Sequence, residues 1–309
     1  MYTLFLRQVD DFAIAMKDDD TATLLISNIN VDLKLPIKIM GLITRFNGMD
    51  IQQSRHYIKI TCIKYITKMV QSHPWSTLQP PPTMPLPFPS DKDSLRRLLQ
   101  CDLPQMETEQ KQLEERMGIK YRHVMGEVLF PMVKCWPDIS VHGIILSKYM
   151  NNPRQSHYEA LKDLVRYLAH TADEGIFYWR SSPVLTLPTG TVPTLHHDNY
   201  TLTETRGTNS LSLVRLVDSN WATHSTKRTS ITGMVLMYAG GAVGYKSKFQ
   251  PIIAHSYTEA EFVAACDMAK MILFFRSLLQ QVGIEQTDAT ILFEDNNGAM
   301  MMANATHGD

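Results

Sequence analysis

Between Gln155 and His170, apolar Tyr158, Leu161, Val165 and Leu168 recur at intervals of three and four, which predicts a helix with one apolar stripe. Gly175 and the run Ile176-Phe177-Tyr178-Trp179 then predict a turn into a strand. Near the start, Tyr2 to Ala15 runs apolar on both sides of a polar centre, Gln8-Val9-Asp10-Asp11. That pattern predicts two short strands joined by a tight turn with acids at its tip. The last third has a clear order of elements. Leu211 to Asp218 reads as a strand, Gly233 to Tyr238 and Ala242 to Lys246 as a hairpin about Gly240-Gly241, and Thr258 to about Val282 as a long helix. A short strand, Thr290 to Glu294, precedes a helical segment, Ala299 to Ala303. Strands followed by helix, strand and helix predict an α/β layer with a mixed sheet.

Two stretches interrupt this order. Gln79 to Pro89 carries Pro80, Pro81, Pro82, Pro85, Pro87 and Pro89, which lack the amide donors of a helix or central strand, and reads as a linker or surface strap. Ser181 to Thr208 is rich in Thr, Pro and Gly with little periodicity, and a domain boundary is placed there.

With 309 residues, 44% hydrophobic and 20% charged, the chain has globular composition and room for about two domains, so disorder is excluded as a general description. Thirty basic against 31 acidic residues leave a net charge of -1, without the overall basic footprint of many nucleic-acid binders. Cys62, Cys101, Cys135 and Cys266 show no CxxC spacing, so neither a zinc site nor a disulfide framework is implied and isolated core thiols are expected. The apolar start is broken by Arg7 and the aspartates, and no later stretch offers some 18 uncharged apolar residues. An intracellular, soluble protein is expected.

Three carboxylates of the last segment fall where α/β sheets concentrate functional groups. Asp218 is expected to end the first strand, Glu261 to lie in the first turn of the long helix, and Asp295 to end the strand before the last helix. Converging there, they could hold two divalent ions about 3.5 to 4 Å apart, and oxygen-only ligands select Mg²⁺ or Mn²⁺ over zinc. Each acid also has an ordinary reading: Asp218 as a strand end, Asp295 as a helix cap, and Glu261, three residues after Thr258, as part of a capping box. Gly240 to Gly244 is better read as a hairpin turn than a phosphate loop, and His196-His197-Asp198 as a solvated loop. The run Met300-Met301-Met302 is expected to pack as core, and Asp18-Asp19-Asp20 to form a solvated turn.

A family resemblance adds to these readings. Five ungapped blocks occur in order: Val217-Asp218-Ser219-Asn220-Trp221-Ala222, Lys227-Arg228-Thr229-Ser230-Ile231-Thr232-Gly233, Ser247-Lys248-Phe249-Gln250, Ser256-Tyr257-Thr258-Glu259-Ala260-Glu261-Phe262 and Asp295-Asn296-Asn297-Gly298-Ala299. Together they resemble the ribonuclease H of copia-type LTR retrotransposon Pol polyproteins. The resemblance implies catalytic and metal-binding roles for Asp218, Glu261 and Asp295, with Mg²⁺ (or Mn²⁺) as cofactor and an RNA:DNA hybrid as partner. Glu259 stands about 200° around the helix from Glu261, so only one of the two can point into the site, and the wider pattern selects Glu261.

Upstream, Tyr121-Arg122 through Gly126, Pro137-Asp138-Ile139-Ser140 and Val165-Arg166-Tyr167-Leu168 look like the family's connection segment. Phe46-Asn47-Gly48-Met49-Asp50-Ile51 is similar to its palm-to-thumb region, and Val9-Asp10-Asp11 to the polymerase hairpin whose two aspartates bind metal. The resemblance implies an α+β reverse transcriptase palm and thumb remnant at 1-75 and a Pro-rich linker at 76-120. A connection segment at 121-205 and a ribonuclease H-like α/β domain with a mixed sheet at 206-309 follow. The family also has a further metal-binding aspartate upstream of the hairpin, and a histidine and fourth aspartate after the last helix, beyond Asp309. An incomplete polymerase and a weakened nuclease are expected, with a catalytically lapsed relic or a host-adopted nucleic-acid-binding module as the alternative. The rest of a Pol polyprotein is the implied protein partner, and the expected location is cytoplasmic or nuclear, away from membranes.

Overall fold

In a computed structural model, residues 4-8, 11-16, 19-34, 37-73, 87, 92-99, 106-180, 213-223, 228-290 and 292-305 are described. The first strands, β1 (Leu4–Gln8) and β2 (Asp11–Ala15), pair antiparallel with Gln8 opposite Asp11, as the apolar runs about a polar centre predict. Asp10 lies outside the described residues, as do nearly all of the Pro-rich stretch and the whole of 181-208, with His196, His197 and Asp198. Asp19 opens α1 (Asp19–Leu33), so the expected solvated turn is here the start of a helix. Asp18 lies outside the described residues, and Asp20, in the first turn, carries the sign of charge that the helix dipole favours there.

A four-stranded antiparallel sheet follows, in the order β3 (Arg45–Phe46), β4 (Met49–Gln53), β5 (Tyr57–Thr61), β6 (Ile176–Trp179). Its last pairing sets Ile60 opposite Ile176 and Tyr57 opposite Trp179. Gly175 permits that approach, because a Cβ there would stand 2.2 Å from the carbonyl oxygen of Ile60. This sheet joins segments expected to lie in separate domains, 1-75 and 121-205. The helices α2 (Ile63–Gln71), α5 (Tyr121–Lys134), α6 (Ser140–Ser147) and α7 (Gln155–His170) fill one core with it. Ile66 and Met69 come from α2, Val124, Met125 and Val128 from α5, Ile145 and Leu146 from α6, and Leu161, Leu164, Val165 and Leu168 from α7. The stripe predicted for α7 is the buried face, widened by Leu164 and by His157, whose Nε2 meets the carbonyl oxygen of Leu98. Two further helices, α3 (Lys92–Leu99) and α4 (Glu107–Met117), add Leu95, Leu98, Leu99 and Leu113 to the same core.

The third sheet has the order β10 (Leu292–Phe293), β7 (Val214–Asn220), β8 (Ile231–Tyr238), β9 (Gly241–Phe249). The hairpin between β8 and β9 turns through Ala239 (φ 52°) and Gly240 (φ 76°), the left-handed pair that a tight right-twisted hairpin requires. β10 runs parallel to β7 and the other pairs are antiparallel, so the sheet is mixed. The long helix α8 (Tyr257–Gln281) buries Ala264, Met268 and Ile272 against Leu213, Val217, Met234 and Leu236, and α9 (Asn297–Asn304) closes the described chain. Ile231, Ala242, Tyr245 and Phe249 of this sheet pack on the first core. The two sheets meet where Trp179 N–H donates to Ala239 O (2.8 Å) and the Tyr178 hydroxyl to Ala242 O (2.7 Å). The chain is thus a mixture of helices and mainly antiparallel sheets, an α/β architecture in the broad sense.

Two further expectations change. Met300, Met301 and Met302 are 38%, 75% and 48% exposed, because Ala299 is the residue α9 buries. Cys62 and Cys135 are buried but not isolated: the start of α2 meets the end of α5, and their sulfurs stand 2.9 Å apart. Cys266 is exposed, and Cys101 lies outside the described residues.

Gly175→Ala is expected to lower stability by roughly 1–3 kcal/mol, since backbone rather than a flexible side chain meets the new methyl group. Gly126→Ala, inside α5 with nothing within 4 Å of the added Cβ, should raise it by up to about 1 kcal/mol. Urea unfolding midpoints distinguish the two, and equal midpoints would contradict the close approach of β6 to β5.

Candidate metal centre

Asp218 sits two residues inside the end of β7 rather than at its end, opposite Gly233 of β8. β10 pairs with β7 through Leu292 to Arg215 and Phe293 to Leu216. Carried two residues further, that register brings Asp295 level with Asp218. β10 is shorter than predicted, so Asp295 lies in the connection to α9 rather than in the strand. Glu261 is the fifth residue of α8, one residue further along than expected, because the helix starts at Tyr257.

Local capping leaves these acids free. The Ser256 hydroxyl, at the N-cap, accepts from Glu259 N–H at 3.1 Å, and the Glu259 carboxylate folds back to accept from the N–H of His255, the residue before the cap, at 2.7 Å. Glu259 is therefore the capping glutamate. At α9, Asn296 Oδ1 accepts from Ala299 N–H at 2.9 Å, so Asn296 and not Asp295 is the cap. The start of α8 is fixed to the sheet by buried Gln250, whose amide donates to Thr232 Oγ1 (3.0 Å) and to Ala260 O (2.8 Å), one residue before Glu261.

The outcome is convergence. One carboxylate oxygen from each of Asp218, Glu261 and Asp295 lies within 4.8 Å of the others, the one such cluster of potential metal ligands among the described residues. Asp218 and Asp295 are exposed, whereas Glu261 is fully buried and neither of its oxygens has a hydrogen-bond partner. The hydroxyls of Tyr257 and Ser219 lie near enough to favour its charged form in part, yet neither completes a hydrogen bond to it. Burial, then the negative charges of Asp218 and Glu294, push the Glu261 carboxyl up to about 7. Asp218 is also raised: although the residue as a whole is exposed, its carboxyl is partly withdrawn from solvent, and that desolvation acts first, then the charge of Asp295. An uncompensated buried carboxyl beneath two exposed ones has the donor chemistry and sign of charge that suit a hard divalent cation.

The residues missed by sequence reasoning are those around the triad. Glu294, raised mainly by burial, has one oxygen accepting from Asn296 N–H (3.1 Å) and the other buried without a partner. Tyr257 is pushed up to about 12, chiefly by burial and then by Glu261. Adjacency of Glu294 to Asp295 was the available signal; nothing in the pattern marked Tyr257 or Ser219. Asp11 of the N-terminal hairpin is exposed at the start of β2, in a separate two-stranded sheet.

Comparison with known proteins agrees with the ordered blocks. The retrovirus-related Pol polyprotein from transposon TNT 1-94 of Nicotiana tabacum is 24% identical over 99% of this chain and 20% of its own length. The corresponding polyproteins from transposons RE2 and RE1 of Arabidopsis thaliana are each 28% identical over 58% of this chain and 10% of theirs. The chain thus spans one fifth or less of the length of these relatives. No protein-family model and no solved structure matches it. These similarities support a copia-type Pol polyprotein relationship. No helix among the described residues is long and apolar enough to cross a membrane.

Because the folded-state pKa of Glu261 is raised, the folded protein holds that proton more tightly than the unfolded chain does. The stability it contributes is present below the ordinary carboxylate pKa and is lost as pH rises through about 7. In EDTA the urea midpoint of the natural chain should therefore fall, relative to Glu261→Gln, between pH 5 and pH 8, and Mg²⁺ should reverse the fall at pH 8. A difference between the two proteins that does not change with pH would contradict this.

Proposed function

We propose that this chain carries the ribonuclease H part of a copia-type Pol polyprotein and hydrolyses the RNA strand of RNA:DNA hybrids with Mg²⁺ or Mn²⁺ held by Asp218, Glu261 and Asp295. The carrying observation is the convergence of three carboxylates on a buried, unpartnered Glu261. Such an arrangement repels itself unless a proton or a cation intervenes. The relationship to retrotransposon Pol polyproteins and the β-β-β-α-β-α order of the last layer support the same reading.

The chemistry supplied by a bound divalent ion is activation of water and stabilisation of the oxygen leaving the phosphodiester. The chain's own residues prepare for it. Exposed Asp218 and Asp295 face solvent, where a nucleic-acid backbone can reach them, and Glu261 forms the floor. Gly233, opposite Asp218, leaves that side of the strand without a side chain. Glu261 must lose a proton before it can serve as a ligand, so metal affinity and rate rise together with pH through about 7. Recognition of the RNA strand rests on backbone shape and 2′-hydroxyl contacts, which do not require a basic chain overall.

The wider reading rests on the ordered sequence blocks, and the relatives support its retrotransposon part. The β1–β2 hairpin with Asp10 and Asp11 is the remnant of a polymerase metal site, the rest of a Pol polyprotein is the partner, and the cytoplasm or nucleus is the location.

The test is cleavage of an end-labelled RNA:DNA hybrid over a range of Mg²⁺ and Mn²⁺ concentrations. Metal-dependent cleavage is expected, reduced by at least about a hundredfold in Asp295→Asn, because loss of a ligand exceeds the effect of losing an outer hydrogen bond. Cleavage equal in the natural chain and Asp295→Asn at every metal concentration would overturn the proposal. Salt-dependent hybrid binding without turnover would instead identify a binding module.

A further inference from the structure

We propose that Cys62 and Cys135 form a site of intramolecular disulfide modification that ties the start of α2 to the end of α5. Cys62 is the N-cap residue of α2 and Cys135 the C-cap residue of α5, so each is carried by a helix terminus rather than by a loose segment. Their sulfurs stand 2.9 Å apart, inside the roughly 3.5–4.0 Å at which even carbon atoms rest against one another. A covalent S–S bond needs about 2.05 Å, so an approach of less than about 1 Å completes it. The two residues are 73 positions apart in the chain, and both are core residues at or near zero exposure. Neighbouring Tyr178 and Tyr245 belong to β6 and β9, where the two large sheets meet. The bond would therefore lie beneath that joint.

The surroundings favour a staple over a redox catalyst. The contact with Cys62 first, then burial, and last the carboxylates of Asp50 and Asp138 hold the Cys135 thiol in the protonated form. A buried neutral thiol is a poor nucleophile. Oxidation accordingly proceeds while the chain is folding or transiently open. With glutathione disulfide as oxidant, the thiolate of one cysteine attacks its S–S bond and expels one glutathione thiolate, which takes up a proton. The second cysteine, losing its proton, attacks the protein sulfur of that mixed disulfide and expels the second glutathione. Two protein thiols are oxidised by two electrons, and one glutathione disulfide is reduced to two glutathione thiols.

The experiment refolds the full chain in glutathione buffers of graded reduced-to-oxidised ratio, blocks remaining thiols with N-ethylmaleimide, and maps unreduced peptides by mass spectrometry. A linked peptide pair containing Cys62 and Cys135, lighter by two hydrogens than the free pair, is expected at oxidising ratios. Cys266→Ser should leave it unchanged, and Cys62→Ser or Cys135→Ser should abolish it. The oxidised protein should melt roughly 5–10 °C higher than the reduced one, because the bond constrains the unfolded chain. Recovery of both cysteines in blocked form at every ratio, from protein whose circular dichroism matches the native state, would overturn the proposal. So would a linked protein that melts below the reduced one.

Discussion

Glu261 is buried with neither carboxylate oxygen hydrogen-bonded, and the C-terminal layer is arranged around that side chain. An ionised carboxylate in such a place costs several kcal/mol unless something compensates it. A proton is one such compensation, and burial with the charges of Asp218 and Glu294 pushes the Glu261 carboxyl up to about 7. The surrounding structure keeps the acid there. Val217, Met234 and Leu236 receive Ala264 and Met268 of α8, and Gln250 fixes the residue before Glu261 to β8. Hydrophobic burial along the helix thus sustains an unfavourable electrostatic arrangement at its start, which is the usual relation between a rigid scaffold and a reactive site.

That layer does not stand alone. Helix α8 covers one side of its sheet, and Ile231, Ala242, Tyr245 and Phe249 contribute to the core built from α2, α5, α6 and α7. Gly241, at the start of β9, lies so close to β6 that a Cβ would stand 2.5 Å from the carbonyl oxygen of Phe177. The joint between the sheets is therefore close, with the backbone of Phe177 and the rings of Tyr178 and Trp179 set against Gly240 and Gly241. Packing is contiguous from α7 to β8 and β9, and Gln250 links Thr232 of β8 to the start of α8.

What was legible in the sequence was whatever a single element determines. The α7 stripe, the β8–β9 hairpin and the long α8 follow from local periodicity and turn chemistry, and each is present. The boundaries were less legible, because capping decides them. Ser256 with Glu259, and Asn296, set the helix starts and so shift Glu261 and Asp295 relative to their elements. Pairing between distant segments was not legible. Nothing local links Tyr57 to Trp179 or Cys62 to Cys135, since those neighbours arise from β5 meeting β6 and α2 meeting α5. The methionines of α9 illustrate the remaining error: residue type suggested core, but a short helix with one buried alanine leaves them in solvent.

The placement of Asp295 shows how much of a site can depend on a residue outside it. β10 has only two residues in register with β7, too few to fix the connection that follows. The segment leading into β10 is instead held by Arg276 of α8, whose guanidinium donates to Asp288 O at 2.8 Å and also to Gln286 O and Thr290 Oγ1. A planar fork of donors suits such a clasp, since it engages several oxygens at once and stays charged. Arg215, buried in β7 opposite Leu292 and donating to Leu213 O, is lowered to about 10 by burial and by the charge of Arg276. Two cations are thus held close together on the side of β10 that leads into the strand, while the acids gather where the chain leaves it. Helix α8 supplies both restraints, one end carrying Glu261 and a later turn holding the chain that delivers Asp295. The placement of Asp295 beside Glu261 thus draws on the β10–β7 register and on the hold of Arg276 on the segment before it.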